Sequence, residues 1–113
     1  MKNKIFWWQW LPVFRWRIVV VVESADEIPK HLPKNGVVLV GQIAKPKWVA
    51  FDCPCRTGHR ILLNADKNRR PYWSVSLAGR LTINPSIDFH NTQKHCHYFI
   101  RNGRIDWAKR GDT

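Results

Sequence analysis

All three cysteines of the chain and three of its five histidines lie in two short stretches. The first stretch is Cys53-Pro54-Cys55 with His59 behind it, and the second is His95-Cys96-His97. Thiolates and imidazoles are the ligands that zinc prefers, and a structural zinc takes four of them. Two thiolates from the first stretch and a Cys/His pair from the second would supply four. The sequence therefore predicts a small domain clamped by zinc.

The residues alone leave the ligand set open. Cys-x-Cys spacing is a weaker zinc signal than Cys-x-x-Cys, and Cys96 has three histidine partners to choose from: His90, His95 and His97. Cys96 and its neighbour His97 would point to opposite faces of a strand, so both bind one ion only if the backbone bends. His59 is a candidate fourth ligand, a hydrogen-bonding partner of a ligand, or a turn residue. The alternatives to a metal are three cysteines buried in a β core and a thiol-redox role.

A second candidate chemistry lies in the segment Asn84-Pro85-Ser86-Ile87-Asp88. A serine next to a histidine becomes a nucleophile when the imidazole takes its proton, and a carboxylate then orients the imidazole. Ser86 would be the nucleophile, His97 the base, and Asp88 the orienting acid. The alternative is that Ser86 and Asp88 only hydrogen-bond the backbone of a local turn.

Composition bounds the class of protein. A chain of 113 residues that is 44% hydrophobic makes one domain with a modest core. Its net charge of +11 attracts an acidic partner, whether nucleic acid, anionic lipid or protein. The basic residues are dispersed, which favours a solvated basic surface over a nucleic-acid footprint. An odd number of cysteines, no secretory signal and no segment long enough to span a membrane make us expect a cytoplasmic protein.

Residues 1–16 are rich in tryptophan and carry basic but no acidic residues. Pro12 disfavours one long helix there. We interpret this segment as an N-terminal arm, followed by a domain over residues 17–113. The arm would pack on its own domain or on a second copy, dock a protein partner through Trp7, Trp8 and Trp10, or lie on a membrane surface.

The elements that must position these side chains are mostly strands. Five consecutive β-branched residues, Ile18–Val22, predict a buried central strand. Ser24 with Glu27 three residues later predicts a short helical turn within residues 24–32. Further strands are predicted at Val37–Val40, at Trp48–Asp52, and at Ile61–Asn64. The Cys53–His59 segment would then be a tight hairpin with Gly58 at its tip.

The second half of the chain continues in the same way. Alternation predicts a strand at Tyr72–Leu77, and Leu81–Asn84 would pair back on it until Pro85 ends that strand. Tyr98–Ile100 and Arg104–Trp107 flank Asn102-Gly103, the pair that a type I′ hairpin turn requires. The fold class is therefore mostly β: a small antiparallel domain of about seven or eight strands.

Several short motifs in register resemble the bacterial family catalogued as DUF6527, over roughly residues 17–108. In chain order the motifs are Trp48…Phe51-x-Cys53-Pro54-Cys55-x-x-Gly58-His59, Tyr72-Trp73-Ser74, Leu81-Thr82-x-x-Pro85-Ser86-Ile87, and His97-Tyr98-Phe99-Ile100-x-x-Gly103-x-Ile105-x-Trp107. The chain departs from the family pattern where Arg56-Thr57 replaces Gly-Cys, where Lys94 replaces a cysteine, and where Cys96 replaces a serine.

The resemblance implies a zinc-binding peptidase that processes or releases a ubiquitin-like protein in a bacterial antiphage pathway. Its implied partners are that ubiquitin-like protein and enzymes related to E1 and E2. The resemblance also favours Ser86 and His97 as the catalytic pair, because both positions match family motifs. Two other functions stay open on the residues alone: a non-enzymatic, zinc-stapled protein-binding module, and a basic nucleic-acid-binding domain.

Overall fold

The structure is a computed structural model, and it describes residues 5–54, 59–90 and 95–108. The described residues form two four-stranded sheets. Strands of the first sheet are β1 (Arg17–Val22), β2 (Gly36–Gly41), β3 (Pro46–Asp52) and β4 (Arg60–Asn64). Strands of the second sheet are β5 (Ser74–Ser76), β6 (Thr82–His90), β7 (His95–Arg101) and β8 (Arg104–Trp107). Two short 3-10 helices are at Trp7–Trp10 and Ala25–Glu27. The prediction of a mostly β fold is confirmed.

In the first sheet the strands lie in the order β1-β2-β3-β4. Strands β2, β3 and β4 are antiparallel, but β1 runs parallel to β2. The expectation of an entirely antiparallel fold is therefore wrong for this pair. The physical reason is the long connection over residues 23–35, because a parallel pair requires a crossover of about a dozen residues or more.

The position of β1 also differs from the prediction, because the strand lies at the edge of its sheet and β2 lies inside it. The run of valines is nonetheless buried on both faces. Val19, Val20 and Val22 pack in one cluster, which Ile5, Ile28, Leu32 and Trp48 cover in part. Ile18 and Val21 pack against the other cluster. Loop and arm side chains thus bury this edge strand from outside the sheet.

Strand β6 runs through Pro85, so the prediction that this proline ends the strand is wrong. Proline has no N–H to donate to a ladder, and within sheets it occurs at edges or irregularities. The pairing of β6 with β7 contains such an irregularity, since the register shifts between Ile83 and Ile87. The strand therefore continues beyond the proline and carries Ser86 and Asp88 within the sheet.

The main core contains buried side chains from both sheets. Leu39, Val49 and Phe51 come from the first sheet, and Ile83, Tyr98 and Ile100 come from the second. Burying apolar area of this kind stabilises by roughly 25 cal/mol per Å². Along β7 the buried residues alternate with half-buried ones, so the core face and the outer face of this strand are clearly separated.

Three local predictions are confirmed. Asn102 and Gly103 have φ angles of 53° and 79° at the turn between β7 and β8. The backbone N–H of Ser24 donates to Oε1 of Glu27 at 3.2 Å, as expected of a capped helical turn. The backbone N–H of Cys53 donates to the carbonyl of His59 at 2.8 Å, which closes the hairpin between β3 and β4. Gly58, its predicted tip, lies outside the described residues.

Candidate active site

Ser86 and His97 are in direct contact. The Oγ of Ser86 and the Nε2 of His97 lie 2.8 Å apart, and both side chains are half-buried. This is an ordinary distance for a hydrogen bond between a hydroxyl and an imidazole. The direction of the bond follows the tautomer of the histidine: a neutral ring with its proton on Nδ1 accepts from the serine hydroxyl at Nε2.

The pairing of β6 with β7 explains this contact. Ile87 is paired with Tyr98 and Asp88 with His97, and both Ile87 and Tyr98 are buried in the core. Since successive side chains of a strand alternate between faces, the neighbours of these core residues point outward. Ser86 on β6 and His97 on β7 therefore share the outer face of the second sheet.

Asp88 lies on β6 directly opposite His97 in the register, and its side chain is exposed. Directly opposite residues of an antiparallel pair have Cβ atoms about 4.5–5.5 Å apart, on the same face. The structure thus brings all three residues of the predicted catalytic set, Ser86, His97 and Asp88, to one face of two adjacent strands. A hydroxyl, an imidazole and a carboxylate in this order are the groups that nucleophilic acyl transfer uses.

Two further residues support this pair, and sequence reasoning did not assign them a role. The indole N–H of Trp73 donates to the backbone carbonyl of Ser86 at 3.1 Å. The ring centroids of His97 and Phe99 lie 6.0 Å apart, and the guanidinium of Arg101 lies over the Phe99 ring, 3.9 Å from its centroid. For Trp73 the signal in the sequence was the Tyr72-Trp73-Ser74 motif of the family resemblance, since the alternation of hydrophobic residues predicted only a strand over Tyr72–Leu77.

Cys53 and Cys96 lie on the other side of the second sheet, in the main core. Cys53 follows β3, Cys96 lies in β7, and both are buried, with 4% and 5% exposure, in the main core cluster. The Sγ of Cys53 is 3.3 Å from the hydroxyl of Tyr98. Two buried thiols from different sheets beside the hairpin that holds His59 form a donor set whose chemistry fits zinc.

The predicted zinc ligands do not all lie together. Strand β7 pairs regularly through Cys96 and His97, so these two side chains point to opposite faces. Cys55 lies outside the described residues, and the side chains of His90 and His95 do as well. Within residues 5–54, 59–90 and 95–108, no group of three or more His, Cys, Asp or Glu side chains could hold a metal. The zinc site stays a prediction.

The described part of the arm, residues 5–16, packs on the domain at a few points. Arg17 donates to both the side chain and the backbone of Gln9, which is buried. The side chain of Trp16 is in the main core, and its backbone N–H donates to the carbonyl of Gly103 at 2.9 Å. The predicted partner-binding residues stay exposed: Trp7 by 77%, Trp8 by 42% and Trp10 by 46%. No helix in the described part of the chain is long and apolar enough to span a membrane.

Comparison with known protein families adds an independent finding. The family model BubE, described as the bacterial ubiquitination-like system serine protease, matches residues 24–108, about three quarters of the chain. The chain belongs to the BubE family. The matched range contains Ser86, Asp88 and His97 as well as the three cysteines.

Membership in the BubE family implies a protease of a bacterial ubiquitination-like system. The expectation of a peptidase linked to ubiquitin-like proteins is confirmed at this level, and the DUF6527 designation stays a prediction. The comparisons with curated proteins and with solved structures gave no match.

Proposed function

We propose that the chain is a serine protease that processes or releases a ubiquitin-like protein, with Ser86 as nucleophile, His97 as general base and acid, and Asp88 as the residue that orients His97. The observation that carries this proposal is the 2.8 Å contact between Oγ of Ser86 and Nε2 of His97. The description of the BubE family as serine proteases supports the same assignment.

The chemistry follows from the three side chains. His97 takes the proton of Ser86 as Oγ forms a bond to the scissile carbonyl carbon, and it then gives that proton to the leaving amine as the C–N bond breaks. The acyl group remains on Ser86 as an ester. Water then attacks this ester with His97 again as base, which releases the carboxylate product and restores the serine. Asp88, a carboxylate opposite His97, stabilises the imidazolium that forms in both steps.

We also propose a structural zinc held by Cys53, Cys55, His59 and Cys96. The burial of Cys53 and Cys96 in one cluster supports this choice. His97, the other predicted ligand, is directed instead to Ser86 on the opposite face of β7. When bound, zinc would link the hairpin after β3 to β7 and so fasten one sheet to the other.

The decisive experiment compares Ser86→Ala and His97→Ala with the parent chain on a ubiquitin-like protein that carries a C-terminal extension. Cleavage is followed by intact mass, and reaction with a fluorophosphonate probe reports the nucleophile separately. We expect both variants to lose cleavage by about 10³-fold or more, and the Ser86 variant to lose labelling. Ser74→Ala, which removes an exposed hydroxyl from a neighbouring strand of the same sheet, is the control and should cleave normally.

The opposite results would have a clear meaning. If Ser86→Ala and His97→Ala cleave as fast as the parent chain while circular dichroism shows an intact fold, the catalytic assignment is wrong. If the parent chain neither cleaves nor reacts with the probe, the result favours the second candidate function, a non-enzymatic protein-binding module. The specific observation in favour of that function is the exposure of Trp7, Trp8 and Trp10 in the arm.

A further inference from the structure

Three arginines meet where the arm crosses the ends of two hairpins of the second sheet. A Cβ placed on Gly103 would lie 3.3 Å from Cβ of Arg15 and 3.4 Å from Cβ of Arg80. Arg104 follows Gly103 directly, and all three arginine side chains are exposed. The guanidinium of Arg80 lowers the pKa of Arg15, with smaller contributions from desolvation and from Arg104. The three like charges therefore lie close enough to repel one another.

No carboxylate within the described ranges balances this cluster. The described arginines that form ion pairs with described carboxylates are Arg60 with Asp52, Arg69 with Asp66 and Arg101 with Asp106. Like charges held together without a counter-charge are a cost to the folded chain unless an anion binds there. The backbone contact between Trp16 and Gly103 fixes this arrangement, because it ties the arm to the turn.

An apolar cleft of about 610 Å³ lies beside the arginines. Its walls come from the arm and from the turn before β6, and its apolar lining includes Trp8, Val13, Phe14 and Leu77. Two polar residues of the lining are hydrogen-bonded to each other, since the Nε of Arg17 donates to Oε1 of Gln9 at 2.8 Å. What the cleft offers a ligand is thus an apolar surface with an arginine rim.

We propose that this cleft is a docking site for a peptide segment of a partner protein, in which acidic residues flank an apolar anchor side chain. The anchor would fill the cleft and the carboxylates would pair with Arg15, Arg80 and Arg104. Tryptophan and arginine are the residues that carry most binding energy in protein interfaces. Trp8 of the arm lines the cleft and is 42% exposed, so a bound peptide can reach it.

A peptide fits this site better than a nucleic acid does. The polar edges of a nucleobase require hydrogen-bond partners, and the polar groups of Gln9 and Arg17 are already engaged with each other. An aliphatic or aromatic side chain of a peptide requires none. The site is also separate from the proposed active site, because none of Ser86, Asp88 and His97 lines the cleft.

The test uses the full chain with Ser86→Ala, so that bound peptides are not cleaved. A phage library of random dodecapeptides is selected on it, and the most enriched peptide is synthesised with a fluorescein label. We expect the enriched sequences to share Asp or Glu next to an aliphatic or aromatic residue. In fluorescence polarisation at physiological ionic strength, Arg80→Glu and Arg104→Glu should each weaken binding by about tenfold or more.

Arg70→Glu is the matched control, because it makes the same charge change at an exposed arginine outside the cleft. Its Kd should stay within about twofold of the parent value. The proposal is wrong if no acidic motif is enriched, or if Arg70→Glu weakens binding as much as Arg80→Glu. It is also wrong if a labelled oligothymidine binds more tightly than the peptide and depends on Arg80. All of these outcomes can be read without proteolysis, so they are distinct from a failure of the Ser86 assignment.

Discussion

Ser86 and His97 meet because each is the neighbour of a core residue on adjacent strands. Ile87 and Tyr98 are a register pair and are both buried, which directs Ser86 and His97 to the outer face. The contact between Ser86 and His97 is thus a consequence of the core packing beneath it. Any change that shifts the register of β6 against β7 by one residue would place Ser86 and Asp88 on the opposite face from His97.

At the residue scale, Asp88→Asn tests whether the carboxylate opposite His97 orients the imidazole. An amide keeps the shape of Asp88 but loses its charge, so the imidazolium that forms in catalysis is less stable. We expect kcat to fall by about 10- to 100-fold while KM changes little, as for a group that only positions a reactive one. Steady-state kinetics on a fluorogenic substrate measure both constants.

Two comparisons make the test of Asp88 specific. Asp88→Glu should recover part of the activity, because it restores a carboxylate on a slightly longer side chain. Asp106→Asn changes another exposed carboxylate of the same sheet and should leave kcat unchanged. Equal kcat values for Asp88→Asn and the parent chain would remove Asp88 from the proposed mechanism.

The identity of these residues was predictable from sequence, but their arrangement was not. A serine, an acid and a histidine within a short span were visible as candidates, and so was the rule that neighbours in a strand face opposite ways. Their pairing depends on the register shift between Ile83 and Ile87, and the exact position of such an irregularity in a ladder cannot be read from local residue patterns. The role of Trp73 was hidden for the same reason, because its partner is a backbone carbonyl on another strand.

At the scale of elements, the turn between β7 and β8 joins the arm to the second sheet. The φ of Gly103 is 79°, a region that L side chains rarely adopt. A Cβ there would also lie 3.3 Å from the carbonyl oxygen of Trp16 and from Cβ of Arg15. Glycine is therefore favoured at position 103 for two reasons. The turn requires a positive φ, and the close approach of the arm leaves little room for a Cβ.

Gly103→Ala should accordingly lower the free energy of unfolding by about 1–2 kcal/mol from the left-handed conformation alone. Urea denaturation followed by tryptophan fluorescence measures the change. Gly79→Ala is the matched control, because Gly79 has no positive φ and its nearest neighbour is Oδ1 of Asn102 at 3.9 Å. An equal loss of stability in both variants would show that the turn geometry is not the cause.

The elements differ in how well local sequence defines them. Asn102-Gly103 and Ser24 with Glu27 are local signals, and the structure has the predicted turn and helical turn at both places. The valine run of β1 reads as a central strand because both of its faces are apolar. Its edge position is a property of tertiary contacts, since Ile5, Ile28 and Leu32 come from outside the strand. The residue pattern of positions 18–22 therefore cannot show whether the strand lies at the edge or at the centre of its sheet.

At the scale of the whole molecule, the two sheets meet over one shared core, and Cys53 and Cys96 lie in it. Cys53 comes from the end of β3 in the first sheet, and Cys96 comes from β7 in the second. A chain of this size buries a modest core, so a metal that links the sheets would add stability where few apolar layers are available. Catalysis and zinc would then lie on opposite faces of β7.

This arrangement predicts that the chain, purified without added metal, contains about one zinc per molecule. Cys96→Ser should lose the metal, and its Tm should fall by several degrees because the sheets lose their link. Elemental analysis gives the zinc content and calorimetry gives the Tm. His31→Asn, which alters a histidine outside the predicted ligand set, should retain both. Zinc bound at equal stoichiometry to Cys96→Ser would exclude Cys96 as a ligand, and a metal-free parent chain would leave the thiols as core residues.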